Sequence, residues 1–482
     1  MKKIISLILV ISLLFSCSNE SIEDSTNLTQ ESNQKLLSVE KVNDYIATEL
    51  KENGDLDWTK APALVLWSAA IHSNGVITIG YGNEDENFSE NRSPELIDAK
   101  ANILDVVNSI EQSTKSNTVQ YDDDILNFIE VKVSKLETII ALQKTDKVRY
   151  IEPSYSSFLP NDKERNFGCA TEGRIVNPED YRIITPNAWL PWSFDVHNIP
   201  AAWEFSTGRN ITVGVVDSGI SQTQKFLGED FNDGFSNGRT VEQYGTFDGS
   251  IYDDCGHGTA MSAAIASPRN DDAMPVGVAY NSNLVVYRGT GDVLLEGSKE
   301  RKAVSKAIRE LGDRSDVKII SMSIGWVWTV RNIKDAVKYA YSKDKMIIAA
   351  GGTSTQFTNW YAVIFPASMK ETVAVTGIKE NGKRCFVCHD GKKIDFTVAM
   401  ERDAANNRTL PVLGFSSDVR NVVGGSSIAT ATTAGIAALV WATNPNMTRE
   451  QVLDKMQKAG EYYPNRSNKY GYGKINVLKA VQ

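Results

Sequence analysis

The chain lacks several features that would narrow its function at once. It has no cluster of basic residues, no internal repeat, no low-complexity tract and no second apolar run resembling a membrane span. Its formal net charge of −9 is spread along 482 residues, which disfavours nucleic-acid binding. With 41% hydrophobic and 23% charged residues it is a globular rather than a disordered chain, and its length predicts two or three domains.

Histidine and cysteine are both scarce. The four histidines are His72, His197, His257 and His389. Of the five cysteines, the four that follow the N-terminal region are Cys169, Cys255, Cys385 and Cys388. An even number of cysteines in an exported protein favours disulfides, and these four allow three pairings, which the sequence leaves open.

The N-terminus is a predicted export signal. Two lysines precede an apolar run over residues 4–15, which is short for a membrane span and has the length of a signal-peptide core. The run ends with LFSC at residues 14–17, which resembles the lipobox of bacterial lipoproteins. That resemblance implies a signal peptide over residues 1–16, a lipid on Cys17 and a membrane-anchored location in the cell envelope. The alternative is ordinary cleavage with no role for Cys17.

A polar segment then leads into a small α+β pattern. Residues 17–45 are poor in large apolar groups and are predicted to form a flexible tether. Residues 46–160 are predicted to form a small ferredoxin-like domain. Its predicted strands are 63–67, 76–79, 128–133 and 148–153, and its predicted helices begin at Ser93-Pro94 and at Leu136.

From residue 161 to residue 482 the pattern changes to alternating strands and helices. The predicted strands are 211–216, 284–287, 317–320, 346–349 and 373–375, with helices near 299–311 and 333–343. Continuous apolar strands that alternate with helices predict an α/β fold with a doubly wound parallel sheet buried on both faces.

Three side chains are candidates for chemistry in this second part. Asp217 ends an apolar strand, where reactive groups of a parallel sheet gather. His257 lies between two glycines that let partners approach it closely. Ser427 follows a glycine-rich turn at the start of an apolar helix, where the helix dipole favours negative charge. The structural alternatives are a turn cap for Asp217 and a helix N-cap for Ser427.

The order Asp, His, Ser on an α/β sheet closely resembles the subtilisin-like (subtilase) serine proteases. Further strings typical of that family are IIAAG at 347–351, FPA at 365–367, GSSIAT at 425–430 and GYGKI at 471–475. The resemblance implies that Ser427 attacks the scissile carbonyl, that His257 transfers its proton to the leaving amine, and that Asp217 fixes the imidazole. It implies a serine endopeptidase, expected to be monomeric, acting on protein or peptide substrates.

The same resemblance implies how a peptide is bound and how the enzyme is made. The backbone N–H of Ser427 would be one oxyanion donor, and Ser323, Ile324 and Gly325 would offer an exposed edge to an extended peptide. Residues 128–153 are similar to the second half of the inhibitor-type propeptides of these proteases. The alternative for that stretch is an unrelated ferredoxin-like domain.

One position departs from the family pattern. The family usually has an asparagine as the second oxyanion donor, and this chain has Gly352 there. Loss of such a donor costs about 10²–10³ in rate, a value that comes from a subtilisin itself. Thr353, Ser354 or a backbone N–H could substitute. The departure favours a slow or selective protease, with a subtilase-fold binding protein of little or no turnover as the alternative.

Residues 385–389 read CFVCH, which matches the pattern of c-type haem attachment. Their place in a connection before the serine helix favours structural disulfides instead, with zinc binding and a redox CxxC as further alternatives. No cofactor is predicted. The acidic pair Asp253-Asp254 is a weak calcium candidate, for which solvated loop carboxylates are the favoured interpretation.

Overall fold

The computed structural model describes residues 35–89, 91–112, 118–155, 158, 168–353, 363–403 and 408–482. The predicted signal peptide, the lipidation residue Cys17 and most of the predicted tether lie outside these ranges. Residues 37–482 belong to one unit, which contains a four-stranded sheet, a seven-stranded sheet and two short hairpins.

The four-stranded sheet is antiparallel and lies in the N-terminal part of the chain. Its region contains α1 (Val39–Asn53), α2 (Ala63–His72), β1 (Val76–Tyr81), α3 (Pro94–Glu111), β2 (Val119–Asp123), β3 (Phe128–Lys132), α4 (Leu136–Leu142) and β4 (Val148–Pro153). The strand order is β2-β3-β1-β4, so the first strand lies between the third and the last. The predictions for β1, α3, β3, α4 and β4 are therefore confirmed.

Two predictions in this region are wrong. Residues 63–67 form the start of α2 instead of a strand, because their apolar run continues to His72 and buries residues at helical spacing (Val65, Leu66, Ala69 and Ala70). A short apolar run does not by itself distinguish the two structures. The predicted tether also ends too late, since α1 begins at Val39 and buries Val42, Ile46 and Leu50 at four-residue spacing.

The seven-stranded sheet forms the centre of the remaining chain. Its region contains β5 (Tyr181–Ile184), β6 (Ala188–Pro191), α5 (Trp192–Val196), α6 (Ile199–Ala202), β7 (Thr212–Asp217), β8 (Val241–Gly245), α7 (His257–Ala266), β9 (Asn283–Arg288), α8 (Ser298–Asp313), β10 (Val317–Met322), α9 (Arg331–Ser342), β11 (Met346–Ala350), β12 (Thr372–Lys379), β13 (Phe396–Glu401), β14 (Leu410–Leu413), β15 (Arg420–Val423), α10 (Gly425–Ala442), α11 (Arg449–Lys458) and α12 (Val477–Val481).

All seven strands run parallel in the order β13-β12-β11-β10-β7-β9-β8, which confirms the predicted doubly wound sheet. From β7 the chain crosses to the edge strand β8 and returns to β9 between them, then crosses β7 to β10 and continues outward to β13. The boundary between β7 and β10 is therefore a topological switch point, where the carboxyl ends of neighbouring strands leave a crevice. Asp217 ends β7 at this crevice.

Helix α10 lies in the core beside the sheet. Among the described residues it is the one helix of sufficient length and apolarity to cross a membrane, and 89% of it is buried inside the fold. Its apolar surface packs against β10–β13 and α7. This burial identifies α10 as the central helix of a large core.

The N-terminal sheet packs against α8 and α9 of the second region through a shared apolar core. Ion pairs surround that core: Arg149 bonds Asp335 on α9 at 2.8 Å, and Lys302 on α8 bonds Glu130 at 2.8 Å. Glu152, at the end of β4, accepts the backbone N–H of Arg331 at 3.2 and 3.1 Å and so caps the start of α9.

Glu152 makes this contact sensitive to pH. Burial raises the pKa of Glu152 from its ordinary value of 4.5 to about 7, against the lowering effect of Arg301 and Arg331. The folded state therefore holds this proton more tightly than the unfolded state does. The stabilisation from the protonated carboxyl is fully present below pH 4.5 and is lost as the pH rises through about 7. We predict that Glu152→Gln flattens the pH dependence of the unfolding free energy between pH 5 and pH 8.

Chemical denaturation of the full chain at a series of pH values measures this effect. The exposed Glu95→Gln on α3 is the matched control, because it removes the same charge away from the contact. An unchanged pH slope in Glu152→Gln would contradict the assignment.

Candidate functional site

Asp217 is fully buried at the carboxyl end of β7. Its Oδ1 accepts the backbone N–H of Ser218 at 2.8 Å and lies 2.8 Å from His257 Nδ1. A buried carboxylate is costly unless it is paired, and this imidazole is the partner that the strand end requires. The sequence-predicted aspartate and histidine are therefore brought into direct contact.

His257 begins α7, directly after Gly256, whose φ of +88° turns the chain into the helix. Asp253 fixes this turn by accepting the backbone N–H groups of Cys255 at 2.8 Å, Gly256 at 2.9 Å and Thr259 at 3.0 Å. Asp253 is thus a buried turn anchor. The solvated-carboxylate interpretation of the pair is therefore wrong for Asp253, whose oxygens are occupied by protein donors, whereas Asp254 is an exposed loop carboxylate that pairs with Arg288 at 2.7 Å.

The charge state of His257 depends on its acidic neighbours. Burial acts to lower its pKa, but Asp217 opposes this through charge and hydrogen bonding, and Asp253 and Asp292 add to the opposition. The net effect raises the pKa of His257 above 6.5. Burial also raises the pKa of Asp292 to about 7. The site therefore favours an imidazole that accepts a proton readily.

Ser427 is the third residue of α10, and the helix N-cap is Gly424. The N-cap alternative for Ser427 is therefore wrong. Gly425, with a φ of +82°, makes the turn that presents the serine. The Ser427 hydroxyl donates to the carbonyl oxygen of Ser323 at 3.3 Å, and the Ser323 hydroxyl donates to the carbonyl oxygen of Ser427 at 2.9 Å.

A cavity of about 160 Å³ collects most of the predicted site residues. Its lining includes His257, Ser427, Ser323, Ile324, Gly325 and Gly352. Asp217 lies behind His257 and does not line the cavity. Ser427 donates its hydroxyl to Ser323, and no hydrogen bond between Ser427 and His257 occurs among the described residues. The fold brings the two side chains to one cavity without joining them.

The edge formed by Ser323, Ile324 and Gly325 is buried, which corrects the prediction that it is exposed. The backbone N–H of Gly325 donates to the carbonyl oxygen of Val293 at 3.1 Å, and Leu294 forms a bridge with Gly325. A buried N–H needs an acceptor, and the facing segment supplies one. The Gly325 N–H is therefore not free to donate to another acceptor in this structure.

Gly352 lines the cavity with a φ of +122°, a conformation that side chains rarely adopt. A Cβ at this position would lie 2.4 Å from His389 Nδ1. The Gly352 N–H donates to the Ser426 hydroxyl at 3.2 Å, and the Thr353 and Ser426 hydroxyls lie 3.1 Å apart. The Gly352 N–H and Thr353, two of the groups suggested as substitutes for asparagine, are thus already engaged with Ser426, and Ser354 lies outside the described residues.

His389 is the residue that sequence reasoning missed. It is almost fully buried, and neither ring nitrogen has a hydrogen-bond partner in the described parts of the chain. Burial lowers the pKa of His389 to about 4, so the ring is neutral at ordinary pH. The two cysteines are the recognisable part of the CFVCH pattern, and no local pattern relates position 389 to position 352.

The four cysteines form two disulfides, Cys169–Cys255 and Cys385–Cys388. Since each sulfur of the CFVCH stretch is bonded to the other, neither is free for haem attachment or zinc. Cys169–Cys255 fixes the preceding residue, Gly168, beside His257: a Cβ on Gly168 would lie 3.1 Å from His257 Cδ2.

One cluster of three aspartates in the described residues has the spacing of a metal site. Oxygens of Asp233, Asp271 and Asp272 lie within 4.8 Å of one another, and Asn270 Nδ2 donates to Asp233 and Asp272. The group is separate from the cavity that holds Ser427.

A parallel α/β sheet with an Asp–His pair at a strand end and a serine at a buried helix start is the arrangement of a serine hydrolase. Residues 208–473 match the model of the subtilase family. This match covers more than half of the chain, so the protein belongs to the subtilase family. The chain is a subtilisin-like serine protease.

Two curated relatives and one solved structure show which proteins of known name the chain resembles. Subtilisin E of Bacillus subtilis is 28% identical over 277 residues, covering 57% of this chain and 67% of that protein. The thermophilic serine proteinase of Bacillus sp. is 25% identical over 366 residues, covering 73% of this chain and 78% of that protein. Fervidolysin from Fervidobacterium pennivorans has the same fold, with a TM-score of 0.59 and 17% identity over 85% of this chain and 61% of its own.

The Gly352–His389 contact yields a prediction. Restoring the usual family residue with Gly352→Asn should destabilise the protein by roughly 1–3 kcal/mol, because the side chain meets both a strained φ and the imidazole. Gly382→Asn is the matched control, since Gly382 has a φ of +82° and no atom within 4 Å of its Cβ position.

Thermal or denaturant unfolding of the two variants separates two effects. The positive φ is common to both positions, whereas the collision with His389 occurs only in Gly352→Asn. The double variant Gly352→Asn/His389→Ala should recover part of the loss. Equal stability of Gly352→Asn and Gly382→Asn would contradict the collision.

Proposed function

We propose that this protein is an exported, lipid-anchored serine endopeptidase in which Asp217, His257 and Ser427 hydrolyse peptide bonds through an acyl-enzyme. The observation that carries the proposal is the 2.8 Å contact between His257 Nδ1 and Asp217 Oδ1 beside the cavity that Ser427 lines. Asp217 fixes the Nδ1–H tautomer, which leaves Nε2 as the base. Its charge also stabilises the imidazolium that forms when His257 takes the serine proton.

The serine must turn before it reacts. Its hydroxyl donates to the Ser323 carbonyl oxygen at 3.3 Å, which is a long hydrogen bond. Rotation about the Cα–Cβ bond exchanges this acceptor for His257 Nε2. Catalytic contacts are often loose before substrate binds, so this arrangement fits the proposed role.

The acyl half of the substrate pairs with Ser323–Gly325. Binding breaks the Val293–Gly325 bond and replaces the Val293 carbonyl oxygen with one from the peptide. Pairing of an extended segment at a strand edge gives affinity through backbone bonds, whereas side-chain pockets give selectivity. Because one hydrogen bond replaces another, opening the Val293–Gly325 contact costs little free energy.

The oxyanion is stabilised mainly by the start of α10. The backbone N–H of Ser427 and the positive end of the helix dipole both face the developing charge. Gly352 has no side chain to donate, and its own N–H is bonded to Ser426. The enzyme is therefore a slow or selective protease. The alternative, a binding protein without turnover, rests on Gly352 alone and is not favoured by the membership of the subtilase family.

The N-terminal sheet acts as an inhibitor-type propeptide, and its domain is ferredoxin-like. The support is its packing against α8 and α9 and the position of Gly168, which lies beside His257 on the chain that leads from this domain. The predicted boundaries assign residues 46–160 to this domain and 161–482 to the peptidase, with the first boundary moved to the start of α1. The lipid on Cys17 anchors the precursor to the membrane of the cell envelope.

The proposed catalytic role of Ser427 has a direct test. A fluorophosphonate probe should label the folded, processed protein and should fail to label Ser427→Ala, because only an activated serine reacts. Peptide hydrolysis should fall by roughly 10⁶-fold in that variant, a magnitude that comes from a subtilisin.

The exposed Ser342→Ala on α9 is the matched control and should keep both labelling and hydrolysis. Labelling that persists in Ser427→Ala would contradict the assignment of the nucleophile. Folded, processed protein that takes no label would support the binding-protein alternative.

The lipid anchor and the propeptide predict a particular fractionation. With one epitope placed after Cys17 and one at the C-terminus, both should be found in the membrane fraction before processing. After a cut ahead of residue 168 and separation of the N-terminal sheet from α8 and α9, the C-terminal part should become soluble, because Cys169 pairs with Cys255 within that part.

Cys17→Ser is the control and should make the whole precursor soluble. Both halves remaining in the membrane fraction after processing would contradict release, and an unchanged Cys17→Ser distribution would contradict the lipid.

A further inference from the structure

The position of His257 identifies the side of the cleft that receives the leaving group. This identification rests on the proposed function. His257 lines two cavities: the one that also holds Ser323–Gly325, and a second of about 230 Å³ that does not. The acyl half of a substrate lies against Ser323–Gly325. Because His257 gives its proton to the leaving amine, the chain after the scissile bond runs into the second cavity.

Arg174 lines this second cavity and also a neighbouring one of about 330 Å³. Both cavities share Val422 and Gly424, which lead into the turn before Ser427. Arg174 therefore lies along the path of the leaving half of a substrate, between the histidine and the outer cavity.

The Arg174 guanidinium is exposed and has no hydrogen bond or ion pair with any residue in the described ranges. Two charged residues close to it are committed. Arg420 donates to the carbonyl oxygen of Ala273 at 3.2 and 3.0 Å. Glu401, which lines the outer cavity, pairs with Lys379 at 3.1 Å. Among the described residues that line these two cavities, Arg174 thus carries an uncommitted positive charge.

The backbone that carries Arg174 is fixed. Cys169 is bonded to Cys255, and the N–H of Ala170 donates to the carbonyl oxygen of Cys255 at 2.8 Å. The N–H of Arg174 itself donates to the carbonyl oxygen of Arg420 at 2.9 Å. Since both ends of the segment are held, little ordering is needed when Arg174 meets a substrate.

We propose that Arg174 binds a carboxylate on the leaving-group side of the substrate and so selects the peptides that are cut. A guanidinium holds a carboxylate through two parallel hydrogen bonds. The carboxylate comes either from an Asp or Glu side chain shortly after the scissile bond or from the C-terminus of a short leaving group. Both sources offer the same chemistry to Arg174.

Internally quenched peptides with one common acyl half distinguish these sources. One set carries Glu, Gln or Lys at each of the first three positions after the cut, and a second set ends there as a free acid or an amide. The enzyme from the full chain should cleave the best Glu or free-acid peptide about fivefold to tenfold faster in kcat/KM than its neutral partner. This preference should shrink at high ionic strength.

Arg174→Gln should lower kcat/KM on the preferred Glu or free-acid peptide to the level of its neutral partner, and Arg174→Glu should favour Lys instead. The exposed Arg209→Gln is the matched control and should keep the wild-type preference. A preference for Glu in the first set supports side-chain recognition, and one for the free acid supports terminal recognition.

The absence of any charge preference in the wild-type enzyme, or its persistence in Arg174→Gln, would overturn the inference. Either result, obtained with hydrolysis that depends on Ser427, leaves the proposed function intact. Hydrolysis that does not depend on Ser427 would instead contradict the proposed function.

Discussion

The contact between the buried carboxylate of Asp217 and the imidazole of His257 is the interaction on which the site depends. Neither group is stable alone in this position, because burial disfavours the charge of each. Loss of one partner from a buried pair typically costs about 3–5 kcal/mol. The pair is possible because β7 ends at the switch point of the sheet and because Asp253 fixes the turn that begins α7.

The second constraint is the space around Gly352. His389 occupies the volume that a side chain at residue 352 would enter, and the backbone there has a positive φ. The surroundings of residue 352 therefore require a glycine. The absence of the usual asparagine amide goes together with the presence of the His389 ring in the space it would enter. What remains near Ser427 is mainly the backbone at the start of α10. Under the proposed function, this arrangement favours selectivity over speed, since substrate positioning must supply more of the rate.

The two sides of the cleft differ in how they are closed. On the acyl side, a single backbone bond between Val293 and Gly325 covers the edge where a peptide would pair. On the other side, the disulfide Cys169–Cys255 holds a segment permanently beside His257. The first can open when a substrate binds, whereas the second is covalent and becomes part of the wall.

Much of the fold follows from local patterns in the sequence. Apolar β-branched runs determine the strands of the parallel sheet, and Asp217, His257 and Ser427 each lie in a recognisable local setting at a strand or helix end. Short apolar runs were less informative: Ala63–Trp67 is helical because the run continues for a further turn, and α1 went unnoticed within a polar stretch.

The sequence by itself determined the parallel sheet and the place of Asp217 at its edge, because strand direction gathers the carboxyl ends of parallel strands on one edge of the sheet. Only the tertiary structure decided the cysteine pairing, the contact of His389 with Gly352, the burial of Ser323–Gly325 and the free charge of Arg174. Each of these depends on segments far apart in the chain approaching within a few ångströms, and no local pattern records such an approach.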